Sequence, residues 1–232
     1  MLSDQKLLKR DYERLQFLRW LLFLITACEA AGIRALTRSR LHALLFMSFA
    51  SSRYYGLKPL RQRAQRTPHG PYYRAAHLAL GHLAFSGLIE VSDFRAHPSP
   101  KDLQFEGSFR LTKNGLTVCR ILRQTNTGEV IYNFLLDMCL GTARVILDDS
   151  IEELPSQEAG ALDGMLAQDL TYVNAMKRPG NSLIIEESPE EATPTVQGLK
   201  SIQMLLSQKT FVNRKDVLSA YQALLRNRAE VA

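Results

Sequence analysis

Apolar residues in this 232-residue chain recur at helical spacing along most of its length, and the period changes to two between Leu88 and Leu111. That change restricts the fold most. A run with period two has to pair with another such run, and the helices on either side must then pack against the pair. Leu88-Ile89-Glu90-Val91 reads as strand, and Phe105, Gly107, Phe109 and Leu111 alternate. Pro98, Ser99 and Pro100 mark a loop between them, so the segment predicts a β-hairpin with a loop of about ten residues.

Ahead of the hairpin, residues 4–31 predict one long helix, with Ser3 and Asp4 as cap candidates and Gly32 as its stop. Its apolar run, residues 20–28, is far short of the roughly 20 residues that cross a bilayer. The run sits inside charged sequence, so a buried helix is expected rather than a leader or a span. Ser39 caps a second helix to about Ser52, apolar nearly all round and therefore central. Residues 59–66 predict a short basic helix, and Thr67-Pro68-His69-Gly70 a turn. Pro71 then opens a helix, where its missing N–H costs nothing; the helix runs to Ser86 and stops at Gly87. After the hairpin, Thr112 caps a helix over residues 116–122. Three helices, a hairpin and a closing helix make a winged helix-turn-helix over residues 37–125, behind an N-terminal helical arm of residues 1–36.

The remainder reads as helical. Val130, Ile131, Phe134, Leu135, Met138, Thr142, Val145 and Ile146 keep a helical period, and Leu162, Leu166, Leu170 and Val173 mark another helix. These give a helical region over residues 126–176. Residues 177–195 carry three prolines and four glutamates and predict a mobile acidic linker. Two amphipathic helices, about 196–208 and 213–227, fill residues 196–232. The expected fold class is mainly α with a small β-hairpin: a winged helix-turn-helix plus a C-terminal helical domain.

Charge divides along the same line. Residues 1–125 hold 20 Lys+Arg against 8 Asp+Glu, whereas residues 126–232 hold 9 against 15. No carboxylate occurs between Glu29 and Glu90, although nine basic residues do. Such a one-signed field suits a polyanion; a solubilising face, or one that docks an acidic protein, is the plainer alternative. In a winged helix the second helix of the turn faces the major groove, and the hairpin touches backbone or minor groove. On the helix of residues 71–86, Ala76, Leu80 and Leu83 point inward, with Tyr73, Arg74, His77 and Gly81 on the other side. Arg74 suits guanine or phosphate and Tyr73 suits phosphate. Lys101 sits at the tip of the wing, and Arg53, Lys58, Arg61, Arg63 and Arg66 suit phosphate contact. Together with His77 these are the expected contacts to double-stranded DNA.

Other chemistry finds little footing. Cys28, Cys119 and Cys139 lie in apolar helical patterns without CxxC spacing, as buried reduced thiols of a cytoplasmic protein do. His77 and His82 are five apart, not the four that would place two ligands on one helix face, so no metal site is expected. Asp148, Asp149, Glu152 and Glu153 suit a divalent cation. A nuclease would also want a nearby lysine, and none lies between Arg144 and Lys177, so a solvated helix end is the expectation. The chain has no GxxxxGKS/T, GxGxxG or GxSxG motif. A non-catalytic chain without a cofactor is expected.

Four short motifs carry a resemblance: Tyr55-Gly56-Leu57, Gly70-Pro71-Tyr72-Tyr73, Gly87-Leu88-Ile89 and Leu111-Thr112-Lys113-Asn114-Gly115. In this order, over residues 39–118, the chain resembles the middle component of bacterial three-component systems built around an SMC-like or Rad50-like ATPase. The resemblance implies a small accessory subunit of a Lamassu-like complex that defends against phage or plasmids. There it would bridge DNA, the ATPase heads and an effector nuclease. The alternative is a stand-alone winged-helix transcription regulator that dimerises through its C-terminal helices.

Overall fold

Most of the described chain is helix, in the order α1 (Leu2–Ala30), α2 (Arg38–Ser51), α3 (Arg74–Phe85), α4 (Lys113–Arg123), α5 (Asn126–Leu147), α6 (Pro155–Gln168), α7 (Leu170–Met176), α8 (Pro194–Ser207) and α9 (Arg214–Val231). A 3-10 turn, Ser52–Tyr55, continues α2. The strands are β1 (Ala64–Thr67), β2 (Gly70–Tyr72), β3 (Ile89–Pro98), β4 (Leu103–Leu111) and β5 (Ser182–Leu183), in two antiparallel sheets. This computed structural model describes residues 2–33, 36–58, 60, 63–68, 70–98, 103–147, 155–183, 185, 192–208 and 211–231; residues 2–10, 96–98, 103–106, 145–147 and 155–160 are described by backbone alone.

The apolar run of α1 is buried, as its composition demands. Phe17 and every residue from Trp20 to Cys28 lie inside the core. Each side of this stretch meets a different helix. The Trp20 indole N–H donates to Ser48 Oγ on α2 at 3.1 Å. Phe23 meets Tyr132 on α5 edge-on at 5.9 Å, and Thr26 Oγ1 lies 2.9 Å from Cys119 Sγ on α4. Cys28 and Cys139 put their sulfurs 3.6 Å apart between α1 and α5. The three thiols are free and buried. The buried apolar residues form one cluster that joins these helices to Leu162, Leu166, Leu199, Leu218 and Leu225 of the C-terminal half. The second half of α1 therefore belongs to the core, and α2 is central, with Thr37 instead of Ser39 as its cap.

Residues 64–66, expected to end a short basic helix, are strand together with Thr67, and Pro71 lies in strand β2 rather than at a helix start. Gly70 turns the chain with φ +97°, a conformation glycine adopts without a side-chain penalty. Beyond it, Gln65 pairs with Tyr72 and Arg66 with Pro71. In the order β2-β1-β5 the proline occupies an edge strand, where the absent N–H breaks no ladder bond. The local pattern suits either structure. Strand β5, over a hundred residues downstream, pairs Leu183 with Ala64 and supplies the third strand.

The second hairpin is longer than alternation predicts. Register slips where Ser92 pairs with Ser108 but Arg95 with Glu106, so Asp93 and Phe94 oppose Gly107. Asp93 takes φ +53° in this bulge. The extra residue puts the alternation out of phase, so residues 92–98 do not read as strand. At the far end, Thr112 donates from Oγ1 to the Gly87 carbonyl at 2.6 Å and accepts from the Gly115 N–H at 3.0 Å. A Cβ on Gly115 would stand 2.0 Å from the Leu88 carbonyl oxygen. The Gly-Leu-Ile and Leu-Thr-x-x-Gly motifs thus lock α3, the hairpin and α4 at one junction.

In the C-terminal half the single helix expected over Leu162, Leu166, Leu170 and Val173 breaks at Asp169. This fully buried carboxylate caps α7 by accepting the N–H groups of Thr171 and Tyr172 on Oδ1, each at 3.0 Å. It also accepts the hydroxyls of Thr195 on α8, at 2.8 Å, and Tyr221 on α9, at 3.0 Å. Burial pushes its carboxyl above the usual range, against the pull of these bonds. The expected mobile linker is anchored at both described ends. Ser182–Leu183 join the sheet, and buried Thr193 donates to the Ala50 carbonyl at 2.6 Å; residues 184 and 186–191 lie outside the described residues. Asp169→Ala strips four donors of their acceptor and should destabilise the chain by at least about 3 kcal/mol in urea unfolding, with Asp169→Asn costing less.

Candidate nucleic-acid interface

Four exposed cations lie around the β1–β2 hairpin, while others are spread over the rest of the described surface. Lys58 and Arg63 are exposed on its approach, Arg66 on β1, and Arg74 at the first residue of α3. Pairing of Gln65 with Tyr72 puts Arg63 and Arg74, which flank that pair, at the same end of the hairpin. Arg66 shares the strand face of buried Ala64 and turns towards α7, where Nη1 donates to the Met176 carbonyl at 3.4 Å. A cation at a helix C-terminus is favourable there. Arg53 is half-buried in the 3-10 turn. Arg61 and Lys101, expected contacts, lie outside the described residues, as do Asp148, Asp149, Glu152 and Glu153.

Sequence reasoning placed Lys177 and Arg178 in an acidic linker. The fold sets them beside Arg66, because Met176 accepts from Arg66 and Asn181 accepts the Arg66 backbone N–H at 2.7 Å. The only local signal was the Lys-Arg pair itself, ahead of Pro179 and Gly180.

Tyr73 corrects the expected set. It is 1% exposed, and its hydroxyl has no hydrogen-bond partner among the described residues, so it does not reach a phosphate. Its ring packs edge-on against Phe49 at 5.6 Å and stacks on His42 at 6.0 Å. Its backbone N–H donates to His42 Nδ1 at 3.1 Å. A histidine accepting at Nδ1 carries its proton on Nε2, so the imidazole is neutral. Burial, then Arg38 and His77, push its pKa down to about 3. His42 therefore ties α2 to the start of α3 as an uncharged acceptor.

On α3, Ala76, Ala79, Leu80 and Leu83 are buried, and Arg74, Leu78, Gly81, His82 and Phe85 face water, with His77 half-buried. Of the side chains that pair bidentately with base edges, that exposed face offers Arg74 alone. Phosphate contact is thus better provided for than base reading. Among the described residues no three His, Cys, Asp or Glu side chains gather closely enough to hold a metal ion, and no helix is long and apolar enough to cross a membrane. No family model matches the chain, and no curated protein or solved structure matches it.

The depressed pKa of His42 makes stability depend on pH. The unfolded imidazole takes up a proton near pH 6.5 and the folded one only near 3, so stability is complete above about 6.5 and falls as pH drops between those values. Urea unfolding should show a loss of about 2 kcal/mol between pH 7 and pH 5, and His42→Phe should remove that part of the slope.

Proposed function

We propose that this chain is a non-catalytic accessory subunit that holds double-stranded DNA by its phosphates and presents it to a larger machine. The segment from α2 through α4 would serve as a winged helix-turn-helix, with α3 in the place of the recognition helix and β3–β4 as the wing. The observation that carries the reading is the exposed set Lys58, Arg63, Arg66 and Arg74 around one hairpin, all from a stretch of sequence without a carboxylate. Lys177 and Arg178 extend it from α7. Long cationic side chains around a hairpin suit backbone contact of low sequence preference.

The sparse donors of α3 favour this over a stand-alone transcription regulator, which needs fixed groups against base edges. The resemblance to the middle component of three-component defence systems supplies the machine: an SMC-like ATPase with an effector nuclease, acting against phage or plasmids in the cytoplasm. Co-expression with an SMC-like neighbour should yield a co-purifying complex; a chain that elutes alone beside such a neighbour rules that assembly out.

Duplex affinity should fall in Lys58→Gln/Arg63→Gln/Arg66→Gln. The slope of log affinity against log salt should flatten by about 0.9 for each phosphate that the variant no longer neutralises. An unchanged slope in fluorescence anisotropy would assign these cations to a protein partner.

A further inference from the structure

Helix α3 leaves an apolar seam in water. Leu78 is 57% exposed and Phe85 96%, although the opposite face of the helix is committed to the core. Arg74, Leu78, Gly81 and Phe85 follow one another at intervals of four, three and four. That is the spacing with which a helix lines one side against another helix. At Gly81 an added Cβ would meet nothing within 4 Å among the described residues. The seam therefore has a gap between two large apolar side chains, the shape that receives a knob from a facing helix.

Two guanidinium groups border the seam, and Arg74 begins it. Arg14 of α1 lies beside it, its Nη2 2.6 Å from His82 Nε2. No carboxylate occurs in residues 30–89, which include all of α3, whereas Asp11 and Glu13 precede Arg14 on α1.

We propose that this face docks an amphipathic helix of a partner protein, with a bulky aliphatic knob for the gap at Gly81 and Asp or Glu flanking its apolar stripe. Charge decides the occupant. A second copy of this chain would set Arg74 and Arg14 against their own like charges, which opposes pairing. DNA would press phosphates against Leu78 and Phe85, which offer them no donor. The inference names the protein-facing surface of the subunit proposed above and rests on that reading for its protein partner alone.

The test uses the full chain and two synthetic helical peptides with the same Leu/Ile heptad seam, one with Glu on the flanks and one with Lys. The Glu peptide should bind saturably in fluorescence anisotropy. Leu78→Ser/Phe85→Ser should weaken it by about ten-fold or more, and Gly81→Leu, which fills the gap, should weaken it too. Both replaced side chains are exposed, and thermal melts by circular dichroism check that the variants fold. Lys58→Gln/Arg63→Gln/Arg66→Gln should leave peptide affinity unchanged while duplex affinity falls. The proposal is overturned if the Glu peptide does not bind, if the Lys peptide binds as well, or if Leu78→Ser/Phe85→Ser has no effect. It is equally overturned if that variant dissolves a dimer in sedimentation, which assigns the face to a second copy, or loses duplex binding, which assigns it to DNA. A chain that binds the Glu peptide but no duplex sinks the polyanion reading and leaves this one standing.

Discussion

Burial of the second half of α1 is the constraint on which the other elements depend. A helix apolar on every side is stable only when every side is covered, and here α2, α4 and α5 each cover part of residues 17–28 through Ser48, Cys119, and Tyr132 with Cys139. Each large side chain removed from water contributes roughly 1.5–3 kcal/mol, so the rod holds its neighbours in place from the inside. Between Trp20 and Cys28 the Trp20 N–H and the Thr26 hydroxyl are both partnered. Their pairing lets an otherwise apolar core fix the register of α1 against α2 and α4.

That core was legible because it depends on composition and period. The apolar run of α1, the all-round apolar α2 and the inner face of α3, with Ala76, Leu80 and Leu83, follow from spacing alone. What was not legible depends on partners distant in sequence. Ala64-Gln65-Arg66-Thr67 has no strong strand pattern and becomes strand through β2 and β5, so a basic helix was the natural local reading. The bulge at Asp93 hid half of β3, and the break at Asp169 needed Thr195 and Tyr221 from other helices to make a buried carboxylate acceptable. Of the site, exposure of Lys58, Arg63, Arg66 and Arg74 agrees with the sequence reading. Tyr73 departs from it, because an aromatic at the start of a helix can turn to either side, and His42 and Phe49 draw it inward.

The two candidate surfaces differ in what they demand of the scaffold. Phosphate contact through flexible Lys and Arg tolerates small shifts of the backbone, and a small sheet held by two short ladders is sufficient for it. Docking a helix requires a seam that does not rotate. The His42 acceptor supplies that rigidity: it fixes the backbone at Tyr73, one residue before α3 begins, and the Thr112–Gly87 bond fixes the chain just after α3 ends.

The separation of the surfaces follows from the length of α3. Arg74 and Phe85 stand about 16 Å apart at the helical rise. The hairpin cations cluster at the Arg74 end, with Arg63 brought there by the β1–β2 register and Arg66 turned to α7. A duplex held by those side chains, as proposed, would lie against the N-terminal end of the helix and leave the shaft from Leu78 to Phe85 available. One short helix can therefore border DNA at its first turn and a partner helix over its last two, and the cations that attract a phosphate backbone at one end also favour an acidic helix at the other.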